Sequence, residues 1–279
     1  HQDGFSPKEE IMSAWKKTSC VLCYSNCGLE VLTEGSRITK VRGDKDNPRS
    51  QGYLCRKGAN IAFFQNNPER LKYPLKRGGS RFERISWDQA LDEIAAKIKV
   101  VVGTHGPRSM AYMGGGGQGC HFDAAFGVML MRALGSRYHY SPLAQELTGI
   151  FWASGRFAGK QYLFGIPDEH ASDMILAIGW NGMQSHQMPR APLVLKEFSK
   201  NPDKLLVVID PRKSETAEIA DIHLAIRPGT DALLCRAMIA VILREGWHNR
   251  DYIREHVQGF EEGEPWFDDL DVRAALKVC

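Results

Sequence analysis

The sequence predicts an α/β protein in which a small β-rich segment precedes doubly wound α/β domains with parallel sheets. Three observations lead there. Before about residue 75 the chain alternates short apolar runs with turn residues, and four of its seven cysteines crowd into that stretch. After Ser86, strands that are apolar throughout alternate with amphipathic helices. Such strands imply a parallel sheet covered on both faces. Two of these strands also run directly into Gly or Asp, as ligand-binding strand ends do.

Element by element, residues 1–13 are polar and read as a loose arm. Leu29–Thr33 and Ile38–Arg42 read as strands joined by Glu34-Gly-Ser36, with a loop at Asp44–Pro48. A short helix is expected from Lys57 to Phe64. Leu71–Leu75 and Arg77–Ser80 read as a linker that closes a first domain, 14–75. Ser86-Trp-Asp-Gln89 has the form of a capping box. It opens a helix whose apolar face is Ala90, Leu91, Ile94, Ile98 and Val101.

Beyond it come a strand at Met110–Met113, a glycine loop at Gly114–Gly117 and a helix at Phe122–Leu134. That loop is no P-loop, because no Gly-Lys-Ser/Thr follows it. Buried strands are expected at Met174–Ile178 and Leu205–Ile209, and helices near Ala191–Phe198 and over Asp231–Arg244, the last stopped by Gly246. The later parts divide into 76–150 and 151–279. The chain opens on His1 and closes on a helix-like run, so it reads as the front part of a longer protein.

Composition narrows the function classes. Among 279 residues, 36 basic and 33 acidic side chains give a net charge of +3 without a basic block, so nucleic acid is not an expected partner. No apolar run approaches the ~18 residues of a membrane helix, and no direct membrane insertion is expected. With no leader in view the cytoplasm is the expected compartment, and the missing native start leaves the periplasm open.

Cys20-x2-Cys23-x3-Cys27 with a distant Cys55 is a three-plus-one set of soft ligands. It suits a cubane iron–sulfur cluster or a structural zinc, and on spacing alone both stand, with unrelated buried thiols as a third reading. At the strand ends, Gly179-Trp-Asn181 would let backbone N–H groups approach phosphates, and Asp210 would accept from a guanine edge. Ordinary loop chemistry explains the same residues equally well.

The residues around these sites carry a resemblance. Cys27-Gly-Leu-Glu-Val31, Cys55-Arg-Lys-Gly58, Leu71-Lys-Tyr-Pro-Leu75 and the Ile85–Leu91 segment occur in that order, followed by Ile209-Asp-Pro-Arg212, Ala220-Asp221 and Arg227-Pro-Gly-Thr-Asp231. Together they resemble the opening of the molybdopterin oxidoreductases of the dimethyl-sulfoxide-reductase superfamily. That group includes formate dehydrogenases, periplasmic nitrate reductases and the tungsten-containing acetylene hydratase.

The resemblance implies that Cys20, Cys23, Cys27 and Cys55 hold a [4Fe–4S] cluster. It implies that Lys57 lies between cluster and pterin, and that Gln118 touches the pterin. Gly179, Asn181, Asp210, Arg212, Gly229 and Asp231 would bind molybdopterin guanine dinucleotide, in the bis form with molybdenum or tungsten. The implied partners are a small-molecule substrate and an electron-transfer subunit or carrier.

The family's metal ligand should fall near Tyr140–Gly149, which holds no cysteine. Tyr140-Ser141 with Ala144-Gln145 resembles the serine-ligated members, making Ser141 the implied ligand. A helix cap ahead of the following turn is the rival reading of Ser141. His139 and Cys120 are weaker candidates. A non-redox hydratase of the same family, and a cluster-binding electron-transfer module without pterin, are the alternative functions.

Overall fold

The computed structural model describes residues 14–279 apart from 24, 115–120, 162, 164, 166 and 186–187, with no side-chain description for 121–123. The chain forms two compact units, His1–Ile166 and Pro167–Cys279.

The first unit begins with a three-stranded antiparallel sheet, β1 (Lys16–Ser19), β2 (Gly28–Glu34) and β3 (Arg37–Gly43), in the order β1-β2-β3. Gly35, at φ +58°, turns β2 into β3. Leu29 and Val31 point inward from β2. Leu29 packs with Cys20 and Ile61, and Leu22, Leu54 and Val41 close round them. The helix expected at 57–64 is two, α1 (Arg56–Ala59) and α2 (Ile61–Asn66). They part at Asn60, whose side-chain amide donates to Arg56 O at 2.7 Å and competes with the helical ladder.

Residues 75–84, read in part as a linker, form a hairpin: β4 (Leu75–Gly78) pairs antiparallel with β5 (Arg81–Arg84) around Gly79 at φ +64°. Its side chains are exposed, so it lacks the alternating burial that announces a strand. Ser86 caps α3 (Trp87–His105), accepting from Gln89 N at 3.1 Å. Of the apolar face expected on α3, only Ala90 is buried; Leu91 and Ile94 are more than half exposed.

The strand expected at 110–113 is shorter, β6 (Tyr112–Met113), followed by α4 (His121–Ala133) and β7 (His139–Tyr140), which pairs parallel with β6. Two further helices, α5 (Leu143–Glu146) and α6 (Thr148–Ala158), complete the described part of this unit. Trp152 and Phe157 stand exposed on α6.

The second unit is built on a parallel sheet, β8 (Met174–Ile178), β9 (Leu205–Ile209) and β10 (Ile222–Leu224), in the order β10-β9-β8. Between β8 and β9 run α7 (Gly182–Ser185) and α8 (Ala191–Phe198). After β10 come α9 (Asp231–Arg244), α10 (Arg250–His256), α11 (Phe260–Gly263) and α12 (Val272–Val278).

Central β9 is the most buried strand: Leu206 and Val208 meet Leu195 of α8 and Ala177 of β8 on one side. On the other, Ile209 packs with Ile226 and with Leu234 of α9. Fully burying a side chain of this size is worth about 1.5–3 kcal/mol, so this cluster fixes the sheet that presents the strand ends. The helix starts and stops expected around α8 and α9 match the residues observed, Gly246 turning the chain at φ +66°. The result is a mixed α/β fold with a small β-rich region at the front and parallel sheets behind it.

Candidate metal centre and strand-end site

Local backbone geometry brings the first three cysteines together. Asn26 adopts φ +46°, a conformation Asn tolerates better than most side chains, and its N–H donates to Cys23 O at 3.3 Å. The turn brings Cys27 back so that its carbonyl accepts from Cys20 N at 2.8 Å. Cys20, only 5% exposed, lies in the apolar cluster with Leu29 and Ile61, beside Cys27.

Cys55 arrives from the far side of the 44–55 loop and caps α1, its sulfur accepting from Gly58 N at 3.4 Å. Gly58 lies next to Cys20, and a Cβ there would sit in ordinary contact, 3.8 Å from Cys20 Sγ. None of the four is in a disulfide.

The thiols feel one another. Burial pushes the Cys20 thiol up, as do neighbouring Cys23 and Cys55, while Leu22's backbone and the Lys57 ammonium act in the opposite sense. Cys27 is likewise raised by burial and then by Cys23, Cys20 and Cys55. Four thiolates this close repel unless cationic iron or another metal offsets their charge.

Among the described residues, no three His, Cys, Asp or Glu side chains converge on a single-ion site. Four soft thiols, partly sheltered by apolar side chains and with a backbone N–H aimed at sulfur, are a donor set that fits an iron–sulfur cluster. Lys57 is exposed on α1, and its charge reaches Cys20.

In the second unit the expected nucleotide residues gather on one edge. Gly179, at φ +58°, follows β8 and donates to Ile209 O at 2.9 Å. Asp210 follows β9 and donates to Leu224 O at 3.2 Å, so the three strand ends lie side by side. One Asp210 carboxylate oxygen accepts from Arg212 N at 2.9 Å, an Asx turn. A carboxylate offers about four lone-pair positions, so acceptor capacity remains. His223 Nε2 lies 2.9 Å from Asp210 O. Gly229, at φ +85°, and Asp231, in the first turn of α9, lie in the chain after β10.

The Asn181 side chain spans the strand ends. Its Nδ2 donates to Glu215 Oε2 at 2.6 Å, and its Oδ1 accepts from Thr216 Oγ1 at 2.8 Å. Thr216 in turn accepts from Met183 N at 3.1 Å. Glu215's own backbone N–H, and then the Asn181 amide, hold its carboxyl below the usual range, with Arg212 adding to the effect. Asn181 thus ties the β8 loop to the β9 loop.

Glu215 and Thr216 escaped the sequence reading. Their signal, a Ser-Glu-Thr run just past Asp-Pro-Arg, looks like any polar loop until Ser214 and Thr216 prove fully buried.

Ser141 follows β7, its hydroxyl accepting from Leu143 N at 3.2 Å. His139 is exposed on β7. Gln118 and Cys120 lie outside the described residues, as do Gly115–Gly117 of the glycine loop.

Comparison with known proteins agrees with both regions. The molybdopterin oxidoreductase Fe4S4 domain matches residues 13–67, and the molybdopterin oxidoreductase family matches residues 70–267. A nitrate reductase of Symbiobacterium thermophilum is 30% identical over 253 residues, covering 90% of this chain and 33% of its own. The acetylene hydratase of Syntrophotalea acetylenica is 33% identical over 264 residues, 90% of this chain and 34% of its own. The solved acetylene hydratase from Pelobacter acetylenicus superposes with a TM-score of 0.77 at 27% identity, over 94% of this chain and 36% of that one.

The chain thus spans about a third of the length of the curated relatives it matches. No helix among the described residues is long and apolar enough to cross a membrane. A [4Fe–4S] cluster and molybdopterin with molybdenum or tungsten are the cofactors that accompany these two domains. With the larger family model covering most of its length, the chain belongs to the molybdopterin oxidoreductases.

Proposed function

We propose that this chain is the N-terminal part of a molybdenum- or tungsten-bis-pterin oxidoreductase that passes electrons between the metal site and a [4Fe–4S] cluster. Residues 14–75 hold the cluster through Cys20, Cys23, Cys27 and Cys55. The observation that carries the reading is the convergence of these four thiols beside the charge of Lys57. The bound cofactors would supply the redox chemistry at substrate and the one-electron relay. The protein holds the thiolates, excludes water from Cys20, and places a fixed positive charge beside an anionic centre.

Gly179, Asn181, Asp210, Arg212, Gly229 and Asp231 would bind the dinucleotide, and the roles of Lys57 and Gln118 toward a pterin rest on the family resemblance alone, Gln118 lying outside the described residues. Asp210→Ala in the full-length protein is expected to lower bound guanine nucleotide while the EPR signal of the reduced cluster stays intact. A charge-assisted hydrogen bond is worth roughly 1.5–3 kcal/mol, enough to reduce occupancy measurably. Unchanged nucleotide content would move the guanine site elsewhere.

A second reading rests on the similarity to acetylene hydratase, since adding water to a substrate transfers no net electrons. Anaerobic turnover separates the two. The oxidoreductase reading expects a viologen dye to be oxidised with nitrate, or reduced with formate or another donor, in step with product. Acetaldehyde formed from acetylene and water with no net change in the dye would replace it with the hydratase reading. In either case a small-molecule substrate is expected. An electron-transfer subunit or carrier is expected only in the first.

A further inference from the structure

Three of the cluster cysteines come from one short segment, but Cys55 comes from a separate loop 28 residues after Cys27. Something must hold that loop in register with the other three. We infer that Asn47, Ser50 and Gly28 form a clasp, buried at Ser50 and Gly28, that positions Cys55 against Cys20, Cys23 and Cys27. The inference rests on the cluster reading above and goes beyond the four ligands.

The clasp closes through a continuous chain of bonds. Gly28, the residue after Cys27, donates its N–H to Ser50 Oγ at 3.0 Å, and its carbonyl accepts from Asp44 N at 3.0 Å. The Ser50 hydroxyl then donates to Asn47 Oδ1 at 3.0 Å. That same oxygen accepts from Ser50 N at 2.9 Å and Arg49 N at 3.1 Å.

Ser50 is completely buried, so water cannot replace its bond from Gly28 N–H. Ser50 O accepts from Tyr53 N at 2.7 Å, two residues short of Cys55. The path from Cys27 to Cys55 therefore runs through one side chain, Ser50, which Asn47 holds in place.

Close packing reinforces the bonds. A Cβ on Gly28 would fall 2.5 Å from Asn47 Cβ. One on Gly43 would fall 2.0 Å from the carbonyl oxygen of Gly52, whose N–H donates to Asp44 O at 2.8 Å. The loop bearing Cys55 is thus pressed onto the start of β2 and the end of β3. Because Cys55 also caps α1, the clasp sets the position of Lys57 as well.

Cys55 depends on this clasp in a way the other three thiols do not. If the loop loosened, that thiolate would withdraw, and an iron held by it would be the first lost. Ferricyanide provides the probe. It takes one electron from [4Fe–4S]2+, one Fe2+ departs, and [3Fe–4S]+ remains with its own near-isotropic EPR signal.

In the full-length protein, Ser50→Ala and Asn47→Leu are expected to reach the three-iron form about tenfold faster than wild type. Ser50→Ala removes two hydrogen bonds and Asn47→Leu three, and the loss of one of them already supplies about that factor. Asn47→Asp keeps the accepting oxygen and should convert at the wild-type rate. Should Asn47→Leu fail to fold, Ser50→Ala decides, because it removes one oxygen atom. Wild-type conversion rates in Ser50→Ala, with only a lower Tm, would reduce the clasp to a fold-stabilising contact and overturn the proposal. A wild-type protein without iron would instead overturn the cluster reading on which the proposal rests.

Discussion

Cys55→Ala is expected to strip the cluster from the anaerobically purified full-length protein, taking iron and sulfide from about four each per chain to near none. The substitution removes the one thiolate that closes the set from the far side. No oxygen or sulfur of Ala can take its place, and Gly58 N–H loses its acceptor at the start of α1. The three remaining thiols then sit in a half-buried site with no iron to offset their charge, where burial first and the neighbouring thiols second already push Cys20 and Cys27 up.

The effect is meant to be larger than that of Ser50→Ala, which keeps every ligand and alters only how firmly one is held. Cys235→Ala, on α9 and outside the set, is the matched control and should keep all its iron. Iron and acid-labile sulfide assays with EPR of the dithionite-reduced sample make the measurement. One equivalent of zinc and no iron in the wild type would mean a structural zinc site instead.

How much of this was legible in the sequence depended on the range of the signal. The strands at 174–178 and 205–209 were plain because each is an apolar run of the right length, bounded by polar turns. The hairpin at 75–84 was hidden because its side chains are charged or exposed on both faces. Its stability comes from backbone pairing and the Gly79 turn, neither of which leaves a hydrophobic period.

The pattern on α3 correctly announced an amphipathic helix, yet a pattern names a face and not its cover. Leu91 and Ile94 meet no burying partner among the described residues. The cysteines and the strand-end Gly and Asp were found because their chemistry is visible in one dimension. Asn181 was found too, but not its tie to Glu215 and Thr216, more than thirty residues away. Asn47 and Ser50 were missed for a related reason. Taken locally, they are ordinary turn residues, and only the bond from Gly28, 22 positions earlier, gives them a role at the cluster.

Ser141→Ala is expected to abolish turnover, because we propose that the Ser141 oxygen binds the molybdenum or tungsten. An alkoxide is a hard donor, suited to a high-valent metal that exchanges oxygen with its substrate. The residue stands just past β7, at the carboxyl end of a strand paired in parallel with β6, the edge where open α/β sheets bind ligands. Gly114 N donates to Tyr140 O at 3.1 Å, so the start of the glycine loop is held beside Ser141.

The rival is visible in the same geometry. Ser141 Oγ accepts from Leu143 N at 3.2 Å, and its carbonyl accepts from Ala144 N at 3.1 Å, as in a residue that opens a helical turn. A hydroxyl oxygen has two lone pairs, so accepting from Leu143 leaves one for a metal. The two roles therefore differ in consequence rather than in placement. A cap lost to Ala costs about 0.5–2 kcal/mol of stability and leaves activity largely intact. A lost ligand removes the reaction, whatever the loss of the Leu143 bond does to the Tm. Metal-edge X-ray absorption on the oxidised full-length enzyme reads the difference directly. An oxygen neighbour present in the wild type and gone in Ser141→Ala supports ligation, whereas identical first shells in the two proteins assign Ser141 to the turn alone.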